Sequence, residues 1–221
     1  MSNYDINSNP ALVKQIIENA KKTYERYLTE HPDSLIPSFT QELRNSGFQF
    51  ETTEQIKLFL PKHKETILPI AIKYYQQAVY DNEKNFFVSL LCYKGFEEVV
   101  PMLLKDFYSN STPALTREFI GETLRTIRSK KYVADYLKII ASPQFGRARA
   151  PIFSLVGSLK SEEAIPVLID LLDTDEEIAP CALQTLASFN QPELKPYFER
   201  FISSPDKHMR KIAGVGLKKI Q

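Results

Sequence analysis

The sequence predicts an all-α protein, most of it an α-α superhelix of stacked antiparallel helix pairs. Only seven of its 221 residues are glycine, and apolar residues recur at spacings of three and four along nearly the whole chain. This is the pattern of amphipathic helices rather than strands. In addition, a block of about thirty residues recurs in the second half. One helical hairpin cannot bury its apolar stripe, so neighbouring hairpins are expected to stack.

The repeat is clearest between residues 156–175 and 186–205. A shift of about thirty residues aligns proline with proline and apolar with apolar positions. Further copies follow upstream and downstream, and a weaker one begins near Val100, so we expect at least three units. The aligned pairs are Leu159 with Phe189, Pro166 with Pro196, Leu168 with Phe198, Leu171 with Phe201, and Leu172 with Ile202.

The N-terminal part lacks this repeat. Apolar spacing predicts helices over 10–31 and 35–45, the second stopping at Gly47, where a left-handed backbone is easily adopted. Residues 48–51 alternate and predict an extended link before an N-cap at Thr52 or Thr53. Further helices are expected over 65–80, 83–93 and 96–108. We therefore divide the chain into a helical N-terminal extension or cap, 1–64, and a repeat solenoid, 65–221.

One family resemblance rests on Ala164–Asp173, AIPVLIDLLD, followed by Ala182–Leu186, ALQTL. These segments closely resemble a bacterial HEAT-like repeat, a family sometimes labelled phycobilisome-lyase-like. The resemblance covers Leu115 to Gln221 and extends more weakly to about Glu65. It implies an armadillo-like α-solenoid that acts as a scaffold or adaptor, and it implies no particular ligand.

Two details of the family pattern can be compared with this chain. In such repeats a proline early in the first helix orients it, and Pro101, Pro166 and Pro196 occupy that place. Phe119 and Thr123 depart from the pattern, because small alanines are usual there. In the first clear unit, the packing of the second helix is therefore expected to differ from the family pattern.

Bulk properties exclude several classes of protein. Lys and Arg total 28 against 27 Asp and Glu, so no global field draws the chain to nucleic acid or an anionic membrane. Cys92 and Cys181 lie in apolar stretches, as cysteines do in reduced cytosolic proteins. Residues 1–9 are polar and predict no secretion signal, and no stretch approaches the roughly twenty apolar residues of a membrane span. We expect a soluble, cytoplasmic protein.

Motifs for chemistry are missing from the sequence. His31, His63 and His208 lack metal-ligand spacing. Gly214-Val215-Gly216 lies in a helical pattern without a preceding strand, and it favours close helix packing over dinucleotide binding. Cys181 is expected to be a core residue rather than a nucleophile. We therefore predict no enzyme, no cofactor and no metal.

A row of arginines is the candidate partner-binding site. Arg147 and Arg149 begin a second helix, and Arg117 and Arg210 stand near comparable positions of other units. Together they could form a basic row that binds an acidic partner or a phosphate backbone. Alternatively, they form an inter-repeat ladder with acidic residues such as Asp170 or Asp173. Lys211, Lys218 and Lys219 of the last helix are expected to form the polar outer face of a terminal cap.

The functional hypothesis is a non-enzymatic scaffold or adaptor that binds a protein partner on a concave face lined by the second helices. One alternative is a nucleic-acid-binding protein related to the HEAT-like alkylpurine DNA glycosylases, but the chain has no tryptophan and no net basic charge. Another is a bilin-lyase-like protein, which rests only on the family label and would need a pigment-binding groove.

Overall fold

The computed structural model describes residues 10–220, and within that range all regular structure is helical. The predicted all-α class is thus confirmed. The chain forms two compact units, which divide between Leu90 and Leu91. No helix between residues 10 and 220 has the length and apolarity to cross a bilayer. The expectations for residues 1–9 lie outside the described part.

The N-terminal unit contains four helices. The predicted stop of the second is confirmed, since Gly47 follows it at φ 93°. Thr52 is extended, as expected of an N-cap, and precedes a short 3-10 helix that leads into the third helix. The third is longer than predicted and is interrupted at His63, two residues after Pro61. The helices are α1 (Pro10–Glu30), α2 (Ile36–Asn45), α3 (Ile56–Gln77) and α4 (Asp81–Leu91).

An aromatic cluster forms the core of this unit. The ring of Phe39, fully buried in α2, lies 5.5 Å from that of Tyr74 in α3. It lies 5.8 and 5.1 Å from those of Phe86 and Phe87 in α4. These contacts join α2, α3 and α4. Residue 64, the expected boundary, lies inside α3, and the first compact unit ends at Leu90.

The C-terminal unit consists of four helical hairpins. Within each hairpin the two helices contact each other, and the second helices α6, α8, α10 and α12 contact one another in succession. The helices are α5 (Val100–Tyr108), α6 (Ala114–Ile127), α7 (Val133–Ile140), α8 (Ala150–Leu159), α9 (Ala164–Thr174), α10 (Ala179–Leu186), α11 (Lys195–Glu199) and α12 (Lys207–Ile220).

Backbone geometry repeats from hairpin to hairpin. Arg128 and Lys160 directly follow α6 and α8 with φ of 62° and 55°, and Asn190 follows α10 with φ 57°. All three are left-handed, the conformation that ends many helices, and they occupy the same place in the sequence repeat. Pro101 and Pro196 lie in the first turns of α5 and α11, where no backbone N–H is needed.

Two glycines allow helices to approach closely. A Cβ on Gly157 of α8 would lie 2.8 Å from Ser188 Oγ, and one on Gly216 of α12 would collide with the ring of Phe198. Gly214 meets nothing within 4 Å. The predicted close packing at Gly214-Val215-Gly216 therefore involves Gly216.

Candidate partner-binding surface

Arg149, one of the four predicted arginines, lies inside the protein. Its side chain is 1% exposed, and it donates to the carbonyl oxygens of Gly146 and Ile140 at 3.0 and 2.8 Å. Its Nη2 lies 2.5 Å from Asp175 Oδ2, so an ion pair joins the α7–α8 hairpin to the turn after α9. Because these groups occupy the guanidinium, Arg149 is better assigned to the internal framework than to a partner surface.

Arg117 and Arg210 also bind main-chain carbonyls. Arg117 donates from Nε to Phe107 O at 2.9 Å and from Nη2 to Ser109 O at 2.7 Å, which satisfies acceptors at the end of α5. Arg210 is exposed, and its Nη1 donates to the carbonyl oxygens of Ser204 and Pro205 at 2.6 and 2.8 Å. Both side chains thus hold turns between helices.

Arg147 differs from the other three. It is exposed, and within residues 10–220 its guanidinium makes no hydrogen bond or ion pair. The structure therefore does not bring the four arginines together as one unpaired row. Ion pairs between hairpins do occur, but the one at Asp173 is formed with Arg200.

The second helices present a face with two adjoining depressions. The first, here called the apolar depression, has a volume of about 490 Å³ and lies between α6 and the start of α8. Leu115 and Phe119 of α6 are 56% and 38% exposed there. Its lining residues are Leu115, Glu118, Phe119, Glu122, Arg147, Ala150 and Pro151.

The second, here called the basic depression, shares Ala150 with the first and has a volume of about 440 Å³. It contains three cationic side chains, and none of the described residues that line it is Asp or Glu. Its lining residues are Arg128, Ala150, Phe153, Ser154, Gly157, Ser158, Lys160, Cys181, Gln184, Thr185, Ser188 and Lys219.

The fold positions these cations at helix C-termini. Arg128 follows α6, Lys160 follows α8, and Lys219 is in the last turn of α12. Positive charge is favoured at such ends, because the helix dipole leaves them partially negative. Arg128 Nη2 donates to the carbonyl oxygen of Ser158, and Lys160 Nζ lies 6.0 Å from the centre of the Phe189 ring.

Cys181 lies on the wall of the basic depression, half-buried rather than in the core as expected. Burial raises the pKa of its thiol, and the nearby charges of Arg147 and Arg149 lower it by less. A thiol that stays protonated is a weak nucleophile. No group of three His, Cys, Asp or Glu residues within 10–220 could hold a metal ion.

Sequence reasoning missed Arg128 and Lys160 as surface residues, although a signal was present. They follow Ile127 and Leu159, apolar residues that correspond at a shift of thirty-two residues, so they occupy equivalent positions. Lys219 was considered only as part of a polar cap. The repeat alignment did not compare charged positions and therefore passed over the cations beside the aligned residues.

The N-terminal unit has a larger cavity, about 640 Å³, between α1, α2 and the segment that leads to α3. Its charges are mixed. Lys21 of α1 pairs with Glu51 at 3.1 Å, and Arg44 of α2 lies 4.9 Å from the centre of the Phe50 ring. This cavity therefore shows no preference for one sign of ligand charge.

No protein-family model, curated protein or solved structure matches this chain.

Proposed function

We propose that this protein is a non-enzymatic interaction module, a HEAT-like α-solenoid that binds a protein partner on a concave face formed by its second helices. Two features support the architecture. The second helices contact one another in succession, and the left-handed residues Arg128, Lys160 and Asn190 recur at equivalent positions.

The observation that carries the proposal is the apolar depression. Leu115 and Phe119 are large apolar side chains exposed side by side on α6, and a basic depression adjoins them. A rigid concave site with an apolar anchor point and a polar border is typical of protein recognition. Most large apolar side chains of this unit are buried, so this exposed pair needs a reason.

Nucleic-acid binding is the rival function, and the three cations of the basic depression favour it. Glu118 and Glu122 oppose it, because they outnumber Arg147 among the charged residues that line the adjoining depression, and carboxylates repel a phosphate backbone. Arg117, Arg149 and Arg210 bind groups of the protein itself. A basic track along the whole face is therefore not available to a long nucleic acid.

The test is affinity capture of the tagged full-length chain from its native cells, with nuclease treatment and mass spectrometry. Phe119→Asp places a charge in the apolar depression. Ile202→Asp is the matched control, since Ile202 is 45% exposed in the same unit and lines neither depression. We expect one stoichiometric protein with the wild type and the control, and its loss with Phe119→Asp.

Two results would contradict the proposal. One is capture that disappears on nuclease treatment, which would favour the nucleic-acid function. The other is undiminished protein capture by Phe119→Asp. Circular dichroism and thermal melting of each variant show that a lost interaction is not a lost fold.

A further inference from the structure

We infer that the partner segment is an acidic peptide, with carboxylates in the basic depression and one apolar side chain in the apolar depression. This inference rests on the proposed function and adds the chemistry of the ligand to it. Charge, hydrogen-bonding capacity and the adjacency of the two depressions all favour such a ligand.

The charge on the surface is unevenly distributed. The whole chain carries a formal net charge of only +1, yet Arg128, Lys160 and Lys219 line one depression in which no described lining residue is acidic. All three side chains are exposed. Such a concentration of one sign within a concavity selects a ligand of the opposite sign and speeds its association.

Polar groups on the same walls suit a peptide. Ser154 of α8 and Gln184 of α10 are exposed, and neither makes a hydrogen bond within residues 10–220. A hydroxyl and a carboxamide can both donate and accept, so they can bind the main chain of an extended segment. The lysine ammonium groups donate to carboxylates, and such charge-assisted hydrogen bonds are stronger than neutral ones.

The apolar depression determines the second feature of the ligand, an apolar side chain next to its carboxylates. Because Ala150 lines both, a segment that places acidic side chains in the basic depression continues directly over Phe119 and Pro151. That surface has exposed apolar area for one side chain of the ligand. Glu118, Glu122 and Arg147 border it, so its charges are mixed and do not favour further negative charge there. The ligand is thus acidic on one side and apolar on the other.

A peptide satisfies these requirements better than a single-stranded nucleic acid. Such nucleic acids bind through a basic groove combined with aromatic side chains on which bases stack. The aromatic residue of the basic depression, Phe153, is 1% exposed and offers no stacking surface. The partly exposed Phe119 lies instead in the adjoining depression, where the charged lining residues are Glu118, Glu122 and Arg147.

The experiment measures fluorescence anisotropy of labelled probes with the full-length chain at low ionic strength. The probes are a short peptide of Glu residues with one Phe, the same peptide with Gln in place of Glu, and an oligothymidine of similar length. The basic-depression variant is Lys160→Glu with Lys219→Glu. Its matched control is Lys105→Glu with Lys130→Glu, exposed lysines of the same unit that do not line the depression.

We expect the Glu peptide to bind and the Gln peptide to bind at least roughly tenfold more weakly. The basic-depression variant should weaken binding of the Glu peptide by roughly tenfold or more, and the control should change it by less than about twofold. Added salt should weaken the complex, since exposed charges are screened.

Three outcomes would overturn the inference: no binding of the Glu peptide, equal binding of the Gln peptide, or tighter binding of oligothymidine that the basic-depression variant abolishes. Affinity capture from native cells distinguishes failure of the acidic-peptide inference from failure of the proposed function. If Lys160→Glu with Lys219→Glu still captures the protein that Phe119→Asp loses, the interaction module stands and the acidic-peptide inference fails.

Discussion

The two units of this protein are both helical, but they are held together differently. In residues 91–220 the helices form successive hairpins, and some equivalent repeat positions, such as Leu168 and Phe198, are buried in both of their hairpins. In the N-terminal unit an aromatic cluster joins α2, α3 and α4. Buried Glu83 of α4 also accepts hydrogen bonds from Leu35 N, at 2.9 Å, and from the hydroxyl of Ser34.

This difference shows when sequence periodicity predicts packing. A repeated unit reuses one set of contacts, so aligning the repeat finds the buried face of each helix. The contact between Glu83 and the start of α2 joins residues distant in sequence and follows no period. Matched substitutions can test whether position in the repeat or local burial governs stability.

Leu172→Asp and Ile202→Asp compare two positions that are equivalent in the repeat. Leu172 is 7% exposed and Ile202 is 45% exposed. Burying an unpaired carboxylate should cost about 4 kcal/mol or more of unfolding free energy at Leu172, whereas the exposed site should lose less than about 1 kcal/mol. Urea denaturation followed by circular dichroism measures both. Equal losses would mean that repeat position matters more than burial.

Arg149→Ala and Arg200→Ala compare two ion pairs between hairpins. The Arg149 side chain is 1% exposed, and that of Arg200 is 44% exposed. Removing the buried partner takes the ion pair from Asp175, whose Oδ1 still accepts a hydrogen bond from Ile178 N, and removes the side-chain donors from two carbonyl groups. We therefore expect a loss of about 3 kcal/mol, against less than about 1 kcal/mol for the exposed pair.

Hydrogen exchange of the whole chain measures the effect of Arg149→Ala and Arg200→Ala, because it reports on each unit separately. Protection should fall in α7 to α10 of Arg149→Ala while the peptides of α2 to α4 keep theirs. A uniform loss across both units would show that they unfold together rather than as distinct compact regions.

Gly216→Ala and Gly214→Ala test close packing within α12. A methyl group on Gly216 would collide with the buried ring of Phe198, and we expect a loss of about 2 kcal/mol. At Gly214 nothing lies within 4 Å, so alanine should stabilise the helix by about 0.5–1 kcal/mol. Opposite shifts of the melting temperature are expected, and a gain at both positions would contradict the close contact.

Tyr27 and Tyr74 should give the N-terminal unit a small alkaline sensitivity. The pKa of each phenol is raised from the ordinary 10.0 to about 12. Burial is the largest cause, and the second is a neighbouring carboxylate, Glu83 beside Tyr27 and Glu42 beside Tyr74. A raised folded-state pKa stabilises the protein below the unfolded value, and this contribution is lost as pH rises from about 10 to 12.

The measurement follows the isoleucine methyl NMR signals of Ile56 and Ile67, which are buried in this unit. The double variant Tyr27→Phe with Tyr74→Phe should retain these signals to higher pH than the wild type. If both proteins lose them at the same pH, ionisation of these two phenols is not what destabilises the unit.

Most of the helices were predictable from the sequence, because their apolar spacing is local. Pro10–Glu30, Ile36–Asn45 and Val100–Tyr108 lie within a few residues of their expected positions. The bounds of α3 were not predictable, since Pro61 marks a break that the helix continues past. The HEAT-like resemblance and the scaffold function remain predictions.

The candidate site was less predictable than the fold. The arginine row was predicted because its members stand near comparable positions of the repeat units. In the structure Arg149 is buried, Arg117 and Arg210 bind main-chain carbonyls, and Arg147 is exposed. Arginines at similar positions can differ in this way, because the length and direction of each side chain depend on the turn beside it.

The helical class, the second-half repeat and the near-neutral charge could all be read from the sequence, since they follow from composition and local spacing. Tertiary structure alone decided which polar groups are free to bind a partner. The carboxylate of Asp175 binds Arg149, whereas Lys160 and Lys219 line an open depression. Whether a charge is buried in a pair or left at a surface depends on what distant segments place beside it, and local spacing does not contain that information.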